Sequence, residues 1–131
     1  MFASFATAIQ IATATLLGYW SNESESVVVL IAPCGATGFC GTVQSASDKA
    51  QADARRGGTA NLIGAELLHE FVQVGPGRWR GILFVPDLRE RSKAEIVLLD
   101  RGRLRVRGCA VGRILCKSQI WSRIDVRVPT P

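Results

Sequence analysis

Val27-Val28-Val29-Leu30-Ile31 is the stretch that decides the fold. Four of its five side chains branch at Cβ, which stiffens χ1 and suits a pleated strand better than a helix. Pro33 and the Cys34-Gly35 turn stop the run, because proline has no N–H to give a ladder. A short apolar run ended by turn residues reads as a well-buried strand.

Outward from that strand, a period of two recurs far more often than 3.6. Residues 40–45 resume as a short strand after Gly35-Ala36-Thr37-Gly38-Phe39. Residues 47–61 are polar and end near Gly57-Gly58, which predicts a loop holding one or two helical turns over 48–55. Residues 62–74 fit either period: Leu62, Glu66 and Glu70 stand at helical spacing, while Leu68, Phe71, Val72 and Val74 suit a strand. Gly75-Pro76-Gly77 is a turn, so the second half is read as a strand paired with 79–85. Residues 94–99, 104–109 and 115–124 supply three more strands, with Asp100-Arg101-Gly102 as a hairpin turn. The chain is mainly β, and its 131 residues suit one domain.

Residues 1–17 carry no charged side chain. The Ala- and Thr-diluted apolar run ending in Ala12-Thr13-Ala14 has the form of a secretory signal, although the usual positive charge ahead of it is missing. Residues 1–14 are therefore expected to be a signal peptide and 15–131 the exported domain, periplasmic or secreted. The run is too short and Thr-rich for the roughly 20 apolar residues that span a bilayer, and no later segment qualifies.

Four cysteines in a small exported chain read as a disulfide framework. Cys34 and Cys40 bracket five residues, Cys109 and Cys116 bracket six, and nearness in the chain favours these two pairs. Each short loop stabilises by roughly 2–2.5 kcal/mol in the chain-entropy model. A four-cysteine zinc site fits poorly, since structural zinc pairs are separated by two to four residues. No Cys-x-x-Cys is present to support redox catalysis.

The net charge of +5 is uneven: no Lys or Arg precedes Lys49, whereas residues 101–127 hold eight basic side chains and one acid. Arg101, Arg103, Arg105 and Arg107 alternate with Gly102, Leu104, Val106 and Gly108. In a strand the guanidinium groups share one face at about 6.6–6.8 Å intervals. Such a face is either plain solvent surface or a contact for anionic polymers or lipids.

Gly18-Tyr19-Trp20, Ala32-Pro33-Cys34-Gly35 with Phe39-Cys40-Gly41, Trp79-Arg80-Gly81, Pro86-Asp87, and Val106-Arg107-Gly108-Cys109 running to Cys116-Lys117-Ser118-Gln119-Ile120-Trp121-Ser122-Arg123 occur in this order. Together they resemble the bacterial DUF2147 family of small exported proteins, whose function is not established. The resemblance implies a small antiparallel up-and-down β-barrel, lipocalin-like, of about eight strands. Many members carry a Gly-Lys-x-Tyr turn where this chain has Arg89-Glu90-Arg91-Ser92-Lys93. A barrel of that class also implies that Trp20 on the first strand lies under Arg123 on the last, sealing one end.

Chemistry is sparse. His69 is the only histidine, Glu66 and Glu70 flank it, and no His-Glu-x-x-His spacing exists. The glycine-rich turns lack a phosphate-loop pattern, and no nucleophile, base and orienting group can be assembled. These residues predict no enzyme activity, no cofactor and no metal. The expected function is binding of a small apolar or amphiphilic ligand in the barrel, with Trp79, Phe84 and Phe71 as candidate contacts. The alternative is an envelope interaction protein that uses its arginine strand. Nucleic acid is not favoured, because that strand carries no aromatic side chains for base stacking.

Overall fold

A computed structural model describes residues 16–109 and 116–124. The expected signal segment and cleavage site, and the turn between Cys109 and Cys116, lie outside the described residues. Eight strands follow one another: β1 (Gly18–Ser21), β2 (Val27–Cys34), β3 (Gly38–Ala46), β4 (Glu66–Gly75), β5 (Arg78–Val85), β6 (Glu90–Asp100), β7 (Arg103–Cys109) and β8 (Cys116–Ile124). One helix, α1 (Asp48–Arg56), lies between β3 and β4. Every strand pairs antiparallel with its neighbour in sequence, and β8 returns to β1, closing the barrel.

The alternation that marked the strands also decides what faces inward. On β2, Val27, Val29 and Ile31 are buried while Val28 and Leu30 are less so. On β7, Leu104 and Val106 are buried between exposed Arg103, Arg105 and Arg107. Trp20, Phe71, Trp79, Ile31, Leu68, Ile96 and Leu104 are almost fully excluded from solvent and dominate the core. Closure removes free sheet edges along the paired length, a demand that a two-layer sandwich meets less completely.

Several boundaries depart from the sequence reading. β6 begins at Glu90 rather than at 94, with Ser92 turned inward as a buried polar side chain. Its first residues are charged outside and have only Ser92 and Ala94 inside, so they lack the apolar alternation that would reveal a strand. The helical spacing in 62–74 is not realised. Leu62 is buried ahead of β4, and the register shifts between His69 and Val72, where Glu70 takes φ 48°. An inserted bulge residue of this kind resets which side chains face the core.

Ser47 caps α1, its Oγ accepting from the Ala50 amide at 3.1 Å. Asp48 in the first turn and Arg55 and Arg56 in the last complement the helix dipole. Lys49 donates to Asp53 at 2.9 Å, and this contact, reinforced by the charges of Lys49 and Arg56, holds the Asp53 carboxyl below its ordinary range. The Ser47 amide donates to Ser26 O at 2.9 Å, and Thr59 Oγ1 donates to Pro86 O at 2.8 Å. Those anchors are the β1–β2 and β5–β6 connections, four strands apart in a ring of eight. The helical segment therefore lies across one end of the barrel, with its own Ala54 side chain buried.

Gly81 shows how closely the middle of the barrel is packed. A Cβ there would sit 2.7 Å from Phe71 Cδ1 and 2.8 Å from His69 O. Gly→Ala gains about 0.4–1 kcal/mol by restricting the unfolded chain, but overpacking of a core costs about 1–3 kcal/mol. Because one obstacle is backbone, overpacking wins: chemical denaturation of Gly81→Ala is expected to show net destabilisation by about 1–2 kcal/mol. An unchanged or raised midpoint would show that the interior there is loose.

Candidate functional site

The two ends of the barrel are built differently. At the end where the chain enters, Trp20 Nε1 donates to Leu16 O at 3.1 Å, and the Arg123 guanidinium lies 4.3 Å from the Trp20 ring. Arg123 also donates through Nη1 to Leu17 O at 2.6 Å and through Nε to Arg101 O at 2.8 Å. Gly18, at φ 127°, makes this possible, since a Cβ there would come within 3.0 Å of Nη1. Burial pulls the Arg123 pKa down from its ordinary value, yet a guanidinium stays charged in proteins. The arginine thus acts as a plug, tying the entering chain, β8 and the β6–β7 turn together over an indole face.

The interior above this plug is filled by large side chains. Trp20, Trp79, Trp121 and Phe71 are each no more than 4% exposed. Toward the end crossed by α1, the inward positions hold no aromatic: Val27, Leu68, Leu83, Ser92, Ala94 and Gly108. Ser92 is the one buried polar side chain among the described core residues, and its Oγ lies 3.1 Å from where a Gly108 Cβ would be. One further polar atom inside has no protein partner among the described residues: Trp79 Nε1, in a residue 1% exposed. A buried donor without a partner loses roughly 1–3 kcal/mol of solvation.

Of the aromatic residues singled out from the sequence, the structure brings Phe71 and Trp79 together in the packed interior. Phe84 is only partly buried and packs at the margin of that cluster. It pairs with Arg91 on the outward side of β5, and the Arg91 guanidinium lies 5.9 Å from its ring. Leu83 and Ser92 occupy the inward register beside it. Ser92 and the small residues near α1 were missed. Their only signal was their place on the inward side, which cannot be read without the register of β6.

Both disulfides are present, Cys34 with Cys40 and Cys109 with Cys116. One clips the β2–β3 hairpin at the Trp20 end and the other links β7 to β8 at the α1 end. Beside the first lies an outer hollow of about 160 Å³ bounded by Gly35, Thr37, Glu70 and Val72. That is below the roughly 300–1,000 Å³ of ordinary small-molecule sites. His69 contacts Glu66 through Nδ1 and lies 3.8 Å from Glu70 through Nε2, on the outer side of the sheet. Donor atoms of Cys40, Glu66 and His69 lie within 4.8 Å of one another, but the Cys40 sulfur is committed to its disulfide.

The arginine series divides. Arg103, Arg105 and Arg107 are exposed on the outer side of β7, whereas Arg101 belongs to the turn before it and offers its carbonyl to Arg123. This corrects the four-residue stripe to three, because the β6–β7 hairpin takes its turn at Arg101 and Gly102.

An eight-stranded closed meander, plugged by an Arg–Trp pair and crossed at its other end by a helix, places the molecule among lipocalin-like barrels. The chain belongs to the DUF2147 family, described as an uncharacterized protein conserved in bacteria, whose model matches residues 18–123. Among solved structures it is similar to one described as "Protein HP1028 from the human pathogen Helicobacter pylori belongs to the lipocalin family", at TM-score 0.63 and 15% identity. The match covers 84% of this chain and 83% of that one. No curated protein matches the chain. No helix among the described residues is long and apolar enough to cross a membrane.

Removal of the plug has a definite expected effect. Hydrogen bonds from a charged donor contribute about 1.5–3 kcal/mol, and the cation–π contact roughly 0.5–2 kcal/mol. Arg123→Ala is expected to lower stability by about 2–4 kcal/mol in denaturant titration, with Arg123→Lys recovering less than half, since an ammonium lacks the planar fork. Equal stability of the lysine variant and the unmodified chain would refute the forked geometry.

Proposed function

We propose that this chain is an exported, non-catalytic binding protein that holds a small apolar or amphiphilic ligand in the half of the barrel beneath α1. The observation that carries the reading is the gradient of inward side chains. Three tryptophans and Phe71 fill the end near Arg123, whereas the other has no aromatic in its lining: Val27, Val43, Leu68, Leu83, Ser92, Ala94 and Gly108. Barrels of eight strands are just wide enough to be filled by side chains or to hold one small ligand, and the size of the inward residues decides between these. A lining mostly apolar with one hydroxyl at Ser92 suits a molecule with a long apolar part and a single polar group.

Three further features support the reading. The helical segment crosses the mouth on two anchors, Ser26 and Pro86, so access requires only local opening of a connection rather than of the sheet. The unpartnered Trp79 N–H offers a donor to a ligand acceptor that reaches the deeper interior. Export agrees with two disulfides, which persist in oxidising compartments. Catalysis has no comparable support, since the buried interior contains neither a carboxylate nor an imidazole among the described residues.

Native mass spectrometry of the protein purified gently from bacterial envelopes tests the proposal. The unmodified chain is expected to carry a bound small molecule, and Ala94→Trp, which fills the space facing Gly108, is expected to lose it while circular dichroism still reports a β-barrel. Retention of the same adduct by a folded Ala94→Trp variant, or no adduct on the unmodified protein, would contradict an interior site.

A further inference from the structure

The outer side of β5, β6 and β7 carries a second feature, independent of what the interior holds. Cross-strand register sets Arg80 beside Glu95 and Glu95 beside Arg107; one step along, Arg78 stands beside Val97 and Val97 beside Arg105. Four guanidinium groups thus surround one carboxylate in a lattice of about 7 Å along the strands and about 10 Å across them. Arg78 and Arg80 hold Glu95 at 2.9 and 3.4 Å. Arg105 and Arg107 have no acidic partner within salt-bridge distance among the described residues. The single acid is satisfied, and an excess of three positive charges remains on a convex, exposed surface.

Aliphatic side chains accompany the arginines. Val72 shares a register row with Arg80 and is 41% exposed; Val74 and Leu99, on the same outer side next to Arg78, are 53% and 40% exposed. A nucleic-acid face needs aromatics interleaved with its basic groups for stacking, and none stands among these four arginines: Phe84, the outward aromatic of β5, lies four residues beyond Arg80, under Arg91. Basic side chains beside exposed aliphatic ones match the boundary of an anionic bilayer. There the guanidinium groups meet headgroup phosphates, and short apolar groups enter the first acyl layer. A sheet lattice also presents its charges over an area, as a membrane does, rather than along a line.

We infer that the outer β5–β7 face, through Arg78, Arg80, Arg105 and Arg107 with Val74 and Leu99 at its edge, docks the barrel onto membranes rich in anionic phospholipid. Each arginine near such a surface strengthens binding roughly fivefold. Neutralising two therefore weakens it by about thirtyfold.

The test is vesicle co-sedimentation of the full chain with phosphatidylglycerol-containing and with pure phosphatidylcholine vesicles, comparing the unmodified protein, Arg105→Gln/Arg107→Gln and Arg105→Lys/Arg107→Lys. All three carry the same apolar N-terminal stretch, so differences between them report on this face. The expected result is preference for anionic vesicles that weakens with salt, a loss of about thirtyfold in the glutamine variant, and retention in the lysine variant. Equal binding to both vesicle types, or a glutamine variant that binds as well as the unmodified chain, would overturn the inference. So would a single-stranded oligonucleotide that binds tightly and competes with the anionic vesicles, since it would assign the face to nucleic acid. A ligand seen by mass spectrometry but no vesicle preference would leave the interior site standing and remove only the docking face.

Discussion

Everything in this structure depends on how a four-residue first strand holds the last. β1 meets β8 through three residue pairs, Tyr19 with Ile124, Trp20 with Arg123 and Ser21 with Ser122, whereas β7 meets β8 through seven. A seam that short supplies few ladder hydrogen bonds, and an eight-stranded sheet left open would expose two edges and one face of its core. Arg123 compensates by reaching across the seam. One guanidinium gathers the carbonyls of Leu17 and Arg101, and it covers the Trp20 ring that also fills the base of the barrel. Closure and core packing are therefore one interaction at that end.

The remaining architecture follows from having one sealed end. With the wide aromatic side chains of Trp20, Trp79, Trp121 and Phe71 gathered toward it, the opposite half is lined by aliphatic and small side chains, Leu62, Leu68 and Leu83 among them, and a connection covers it. The β3–β4 segment does so by crossing between diametrically opposed loops. Each disulfide stands at a different end and clips one hairpin, β2–β3 at the plugged end and β7–β8 at the other. The proposed binding function rests on this division. The family has no assigned activity to compare, and the similarity to the Helicobacter pylori lipocalin-family protein, at 15% identity, speaks for the fold alone.

Much of this was legible in the residues themselves. A β-branched run located β2, the Gly75–Gly77 turn pointed to β5, alternation marked β7, and short cysteine spacing pointed to the two pairs that form. Where alternation failed, so did the reading. Ile82-Leu83-Phe84-Val85 is apolar on both sides, so nothing in it says that Leu83 faces inward and Phe84 outward toward Arg91. Glu90 to Lys93 is polar on both sides, so nothing in it extends the strand read from 94 back to Glu90. The helix was expected, but its path across the mouth depends on Ser26 and Pro86, which are distant in sequence. Depth within a barrel is equally invisible, since facing inward says nothing about height along the axis.

Nuclear magnetic resonance of the β1–β8 seam tests the central claim most directly. Cross-strand nuclear Overhauser contacts linking Tyr19, Trp20 and Ser21 with Ile124, Arg123 and Ser122 are expected, together with a Trp20 indole N–H strongly protected from hydrogen exchange by its bond to Leu16. Absence of those contacts, with the Trp20 indole exchanging as fast as an exposed one, would mean that the sheet is not closed and that Arg123 seals nothing.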